Sequence, residues 1–120
     1  MLKPIPLKIL SQKITLKVCT GVDEWQDPTF ITYDLTRVHV QPTHDTRMTR
    51  DNTEVALNSL LFVDARLSTP RLDFEALQNT SLEQGGPMHV SFNGREYAVM
   101  TIDAVPDDTG RLHHYEVGLV

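Results

Sequence analysis

The dipeptide Asn93-Gly94 is the feature that most constrains what this chain can fold into. Both central residues of a type I′ turn need positive φ, and asparagine followed by glycine is the pair that best tolerates it. A two-residue turn here pairs residues 88–92 with residues 95–99. One face of the pair is then apolar, with Met88, Val90, Phe92, Tyr97 and Val99. The sequence therefore predicts a β-hairpin centred on Asn93 and Gly94.

A second turn signal extends this hairpin into a third strand. The residues Asp107-Asp108-Thr109-Gly110 favour a turn. If all four form the loop, the paired positions are Ile102 with Tyr115, Met100 with Val117, and Asp103 with His114. The sequence thus predicts a C-terminal three-stranded meander over residues 88–120, with a cross-strand ion pair between Asp103 and His114.

The first half of the chain also has the pattern of strands. Apolar and polar residues alternate over residues 13–18, and Thr20-Gly21 is expected to end that strand. Residues 29–41 are β-rich, but their apolar positions change parity near Thr36-Arg37, which predicts a bulge. Residues 59–65 are apolar at most positions, as in a strand buried on both faces.

Two segments lack a strand pattern. Residues 42–57 are rich in threonine and polar residues, which predicts a long exposed loop. Loops of more than roughly 12 residues are uncommon in compact domains and are usually functional or disordered. Residues 68–86 are irregular, with one short helical turn expected from Asp73 to Asn79.

These elements predict an all-β fold, either a small β-barrel or a sandwich, with at most one short helix. The length of 120 residues fits a single domain over residues 1–120. Pro4 and Pro6 disfavour a helix at the start, so residues 1–10 are expected to form an extended N-terminal arm.

The amino-acid composition excludes several classes of protein. Eleven lysines and arginines against sixteen acids give a net charge of −5, so the chain has no global attraction for nucleic acid or anionic lipid. Cys19 is the single cysteine and cannot form an internal disulfide. No apolar run approaches the roughly 18 residues of a membrane span, and residues 1–10 do not resemble a signal peptide. We expect no membrane partner.

No motif indicates catalysis, a metal site or a cofactor. His113 and His114 are adjacent, and neighbours on a strand point to opposite faces, so they are not expected to chelate one ion. Cys19 has no activating neighbour in sequence. Asp107 and Asp108 suit a turn better than a pair of catalytic carboxylates. The sequence therefore predicts a protein that is not an enzyme and carries no cofactor.

One segment is locally basic. Arg37, His44, Arg47 and Arg50 lie close in sequence near His39, and Asp45 is the one acid between the first and last arginine. No aromatic residues alternate with them, so a platform for stacking bases is missing. Two interpretations remain, a solvated loop and a surface near DNA in an assembly. An OB-like barrel that binds single strands is a further alternative, although the hairpin's apolar face accounts for Phe92 and Tyr97.

Several segments together suggest a family. They are Lys3-Pro4-Ile5-Pro6, Trp25 with Asp27-Pro28-Thr29, Val38-His39-Val40-Gln41-Pro42, Asn93-Gly94-Arg95-Glu96-Tyr97 and Leu112-His113-His114-Tyr115-Glu116-Val117. With these segments the chain resembles the minor capsid proteins of tailed phages and prophages of Gram-positive bacteria. Those are similar to the head-completion, or stopper, proteins of the head–tail connector.

The resemblance implies a β-barrel subunit of a ring below the portal and adaptor, with no catalytic residues. The ring would close the DNA exit channel after packaging and dock the tail, with the protein in the host cytoplasm during assembly and in the virion neck afterwards. The loop at residues 42–57 would face the channel, with Arg37, His44, Arg47 and Arg50 near the packaged DNA. An adaptor or tail-terminator ring protein of the same neck stays open as an alternative.

A ring of head-to-tail subunits needs two different complementary surfaces on each subunit. The first 22 residues carry four lysines and no acid, whereas residues 23–34 carry four acids and no base. We therefore expect contacts between subunits at two segments, one formed by Lys3, Pro4, Ile5 and Pro6, and one formed by Asp23, Glu24 and Trp25.

Overall fold

Six antiparallel strands form a closed barrel in the computed structural model of this chain, which describes residues 10–49 and 51–120. The elements are β1 (Gln12–Val22), β2 (Pro28–Pro42), β3 (Thr46–Met48), β4 (Glu54–Ala56), β5 (Ser59–Asp64), α1 (Phe74–Gln84), β6 (His89–Phe92), β7 (Arg95–Pro106) and β8 (Leu112–Leu119). The barrel order is β1-β2-β5-β8-β7-β6, and β3 pairs with β4 separately. The predicted all-β fold with at most one short helix is confirmed.

The predicted bulge in the second strand is present at Arg37. Gln12 pairs with Val38 but Lys13 pairs with Thr36, so Arg37 is the extra residue, with a φ of 59°. This insertion lets Leu35 and Val38 both face the core although they differ in parity. The strand β1 runs on to Val22 and does not end at Thr20-Gly21 as predicted. A register shift leaves Thr20 as an extra residue, and pairing resumes with Gly21 opposite Thr29.

The core fills the barrel with side chains from all six strands and one from the helix. Its members include Ile14, Leu16, Leu35, Val38, Leu61, Phe74, Val90, Val99, Val117 and Leu119. Phe74, at the start of α1, packs against Tyr115 with ring centroids 5.2 Å apart. The described residues contain no helix that is long and apolar enough to cross a membrane.

The predicted hairpin at Asn93-Gly94 is confirmed, with Phe92 opposite Arg95 and Val90 opposite Tyr97. Both turn residues have positive φ, 50° and 77°. The strand β6 is short because Pro87, which has no N–H, precedes it and the turn follows it. Only Thr15 to Lys17 of β1 pair with this strand, so the barrel closes through a narrow seam.

Helix α1 supports that seam. Asp73 caps its start by accepting a hydrogen bond from the Ala76 N–H, and it runs on to Gln84, past the predicted end at Asn79. Its buried face is Phe74, Gln78 and Ser81, a helical spacing made partly of polar residues. The Gln78 side chain donates to the Val99 carbonyl and accepts from the Met88 N–H, and the Ser81 hydroxyl accepts from the Cys19 N–H.

The three-stranded meander is confirmed, but its second register is wrong by two residues. Ile102 lies opposite Val117 and not Tyr115, and Asp103 lies opposite Glu116 and not His114. The turn is longer than predicted, because the Asp107 N–H donates to the Arg111 carbonyl. A further shift between Val105 and Pro106 leaves His113 as an extra residue in β8.

Residues 42–57, predicted to be a long exposed loop, instead form an excursion that carries the hairpin β3–β4, and Leu57 at its end is buried. Arg47 of β3 and Val55 of β4 face each other in this hairpin, and they are the half-buried residues of the two strands. At its tip, the Thr49 N–H donates to the Thr53 carbonyl, and Asn52 adopts a φ of 63°. The sequence does not reveal these strands, because each is three residues long and neither has an apolar face.

Replacing Gly94 with valine tests the hairpin at β6–β7. No atom crowds this position, but its φ of 77° strains a β-branched residue. We expect a loss of about 1–2 kcal/mol in the free energy of unfolding, measured in urea. The matched control is Gly86→Val, at a site that is equally open and has no left-handed φ. Equal loss from both variants would contradict the turn assignment.

Candidate interaction surfaces

The end of the β1–β2 hairpin exposes large apolar side chains on both of its faces, since the strand neighbours Phe30 and Ile31 point to opposite sides. Trp25 is 76% exposed, and Val22, Phe30 and Ile31 are also exposed. The connecting turn is nonetheless well ordered by hydrogen bonds. The Asp23 carboxylate accepts from the N–H groups of Trp25 and Asp27, at 2.8 and 3.0 Å. These hydrogen bonds fix the backbone at Trp25, while its side chain stays exposed. We call residues 22–31 the hairpin tip.

A groove runs between helix α1 and the excursion, with β7 as its floor. It has a cavity volume of about 880 Å³. Met48 and Val55 line it from the excursion, and Leu82 lines it from α1. The floor is provided by Val99, Met100, Thr101, Ile102 and Asp103. Within the described part of the chain, its charged lining residues are the acids Asp51, Glu54, Glu75 and Asp103. We call this the acidic groove.

The position of Arg47 fixes the excursion against the barrel wall. The β7–β8 register puts Asp103 directly opposite Glu116, and like charges in that position repel. The Arg47 guanidinium bridges them, with Nη1 2.6 Å from Asp103 Oδ2 and Nη2 3.2 Å from Glu116 Oε1. Asp45 lies a little farther away, at 3.8 Å. One half-buried arginine therefore relieves the repulsion and anchors the hairpin.

The electrostatics of this anchor are visible in two pKa shifts. Burial raises the pKa of Glu116, but hydrogen bonds from His114 and Arg47 and their charges outweigh burial and hold the pKa below its ordinary value. Burial lowers the pKa of Arg47, but hydrogen bonds to Glu116 and Asp103 and their charges raise it overall. Both shifts favour the ionised pair.

The predicted basic residues occupy separate features. Arg37 is exposed at the bulge in β2, His44 is exposed after β2, and Arg47 is bound to carboxylates. Arg50 lies outside the described residues. Contact of these side chains with DNA stays a prediction.

The predicted contact residues between subunits are also divided. Asp23, Glu24 and Trp25 lie together at the hairpin tip, where one Asp23 oxygen is already bound within the turn. Lys3, Pro4, Ile5 and Pro6 lie outside the described residues. The acidic groove was not predicted, since its floor and walls come from segments that are far apart in sequence.

The histidine pair differs from its prediction. His113 and His114 do not point to opposite faces; their Nδ1 atoms are 2.7 Å apart, because the register shift at His113 interrupts the alternation. Among the residues that the structure describes, no group of three or more histidine, cysteine or acidic side chains is placed to hold a metal. Asp107 accepts from the N–H groups of Thr109 and Arg111, which confirms its role in the turn.

Comparison with protein families decides the identity. The model of the minor capsid protein family matches residues 6–119. This chain belongs to the minor capsid protein family. A search of the curated proteins found no match. The family makes the chain a structural component of a phage virion, as the sequence resemblance predicted.

Replacing Arg47 with methionine tests the anchor in this minor capsid protein. The folded-state pKa of Glu116 is below its ordinary value of 4.5, so its contribution to stability is present above that pH and is lost as the pH falls through the folded-state pKa. We expect Arg47→Met to cost about 1–2 kcal/mol at neutral pH, where Glu116 loses a partner, and less in acid. Urea unfolding at both pH values measures this.

The control for that experiment is Arg71→Met, at an exposed position outside the strands. It should leave the free energy of unfolding unchanged within about 0.5 kcal/mol. An Arg47→Met loss as small as that of the control, or one that persists undiminished in acid, would contradict the anchoring role.

Proposed function

We propose that this minor capsid protein is a ring-forming subunit of the head–tail connector. The ring would lie below the portal or adaptor, close the DNA exit channel after packaging and dock the tail. Membership of the minor capsid protein family supports the structural role. The surface of the barrel supports assembly through contacts with other chains.

The distribution of exposed apolar side chains is the observation that carries the proposal. The large apolar side chains that are exposed on the described residues are Val22, Trp25, Phe30, Ile31, Met48 and Leu82. The first four form the hairpin tip, and the last two line the acidic groove. Each subunit thus has two unlike surfaces suited to contact, which is what head-to-tail assembly into a ring needs.

The charge of the excursion suits a position beside passing DNA. Asp51 and Glu54 lie near its tip, and the charge of Arg47 is already compensated by carboxylates. We propose that residues 42–57 face the channel, where acidic groups let DNA pass without adhering. Arg37, His44 and Arg50 are then the residues proposed to approach phosphates.

Other connector roles follow the same assembly logic, and an adaptor or tail-terminator ring would also use two unlike surfaces. The OB-like nucleic-acid module is less well supported. It needs exposed aromatic side chains beside basic residues, whereas Phe92 and Tyr97 pack against the core. The exposed aromatics Trp25 and Phe30 lie at the hairpin tip, whose charged residues are acids.

Depleting this protein from its phage separates these roles. A stopper predicts DNA-filled heads that leak their DNA, together with complete free tails. If the protein is a tail terminator, we expect tails of uncontrolled length together with stable heads. If it is an adaptor, we expect assembly to stop at the portal, before any further ring is added. Normal yields of infectious particles would contradict the proposal.

The double variant Trp25→Ser/Ile31→Ser tests the hairpin tip. Both side chains are exposed in the single chain, so we expect the free energy of unfolding to change by less than about 1 kcal/mol. Incorporation into virions should fall at least roughly tenfold, because aromatic anchors dominate interface energies. Immunoblotting of purified particles measures incorporation. The control, Arg111→Ser at an exposed turn residue, should incorporate normally; equal incorporation of both variants would contradict the tip's role.

A further inference from the structure

The outer edge of β7 is open where it forms the floor of the acidic groove. Strand β6 pairs with β7 only from Arg95 to Ala98. The last hydrogen bonds on this edge of β7 are at Val99, whose N–H donates to the Met88 carbonyl and whose carbonyl accepts from the Gln78 side chain. On its other side β7 pairs with β8 at Val99 and again from Thr101 to Pro106, with Met100 as the extra residue of a register shift. The described residues offer no strand to the edge beyond Val99. An open edge with apolar walls can accept an extended chain as an added strand.

The charge of the groove selects the kind of segment that it can accept. Among the described residues, the charged ones that line it are four acids, of which Asp103 is already paired with Arg47. The hairpin tip of another subunit is also acidic, with Asp23, Glu24 and Asp27, so like charge opposes its entry. Residues 1–9 carry Lys3 and Lys8 and no acid. Opposite charge therefore favours that segment.

The residue pattern of this segment also fits an open strand edge. In an extended chain, alternate residues turn their backbone N–H and C=O groups to the same side. Ile5, Leu7 and Ile9 share one side, and all three have an N–H. Pro4 and Pro6 share the other side, where the missing N–H groups allow only an edge strand. The segment thus offers apolar side chains and backbone donors at the same alternate positions.

We propose that residues 1–9 of one subunit add to β7 in the acidic groove of the neighbouring subunit. Ile5 and Leu7 would contact the apolar walls, and Lys3 and Lys8 would lie near the acids. This inference rests on the proposed ring assembly and names the segment that joins one subunit to the next. Nine extended residues span about 30 Å, enough to cross a boundary between subunits.

Crosslinking between two singly substituted full-length chains tests the proposal. One chain carries Ile5→Cys and the other carries Met100→Cys, and a short bis-maleimide joins them at concentrations where the protein sediments as an assembly. We expect a covalent dimer of the two different chains. The first control mixes Ile5→Cys with the wild type, whose Cys19 is buried. The second replaces Met100→Cys with Thr32→Cys, which lies on the exposed part of β2.

Charge reversal supplies a second measurement. Glu54→Lys places a cation in the acidic groove, whereas Glu83→Lys changes an exposed residue of α1 that does not line it. We expect Glu54→Lys to lower the crosslinking yield roughly three- to tenfold at low salt, and Glu83→Lys to leave it unchanged. Equal effects of the two would overturn the proposed role of groove charge.

The outcomes separate this inference from the proposed function. If the chain assembles but Ile5→Cys joins Thr32→Cys in preference to Met100→Cys, the segment binds β2, and the groove proposal fails while ring assembly stands. If a doubly substituted chain crosslinks within one monomer upon dilution, the segment occupies its own groove and the proposal also fails. If the chain does not associate at any concentration and is absent from virion necks, the proposed function itself fails.

Discussion

The shortness of β6 is the constraint on which the rest of this structure depends. Pro87 and the Asn93-Gly94 turn limit the strand to a few residues, so it closes the barrel against β1 through three residue pairs. Helix α1 completes the closure with side chains instead of backbone. Gln78 donates to the Val99 carbonyl of β7 and accepts from the Met88 N–H before β6. Ser81 supplies the acceptor for the Cys19 N–H of β1. Because β6 begins only at His89, opposite Ala98, β7 has an uncovered edge beyond Val99, and the acidic groove lies there.

The second wall of that groove depends on a conflict of charge. The barrel register brings Asp103 and Glu116 side by side, and this arrangement is stable because Arg47 reaches across from the excursion. The ion pairs of Arg47 thus do two things: they relieve the repulsion between Asp103 and Glu116, and they fix the excursion to the barrel. A residue that sequence reasoning assigns to DNA has a structural task in the isolated subunit, and the positions proposed to approach DNA are those on either side of it.

Much of the fold could be predicted where a turn or an apolar alternation sets the register. The Asn93-Gly94 hairpin, the bulge at Arg37 and the buried strand β5 all follow from such patterns. The β7–β8 register could not be predicted, because the turn extends to Arg111 and His113 is an extra residue in β8. No sequence pattern marks either feature. Helix α1 was predicted too short because Gln78 and Ser81, which are polar, form its buried face. The contact segment Asp23, Glu24 and Trp25 was predicted from charge and stays a prediction, whereas the acidic groove arises only in three dimensions.

The protein is a structural component of a phage virion, and its proposed place is the ring that links head to tail. The most direct test is a reconstruction of the neck of purified virions by electron microscopy, with this subunit labelled. We expect a ring of these barrels between the portal and the tail, with each hairpin tip at a boundary with another chain. Density for the subunit in the icosahedral shell, or a neck that lacks it, would contradict its place in the connector.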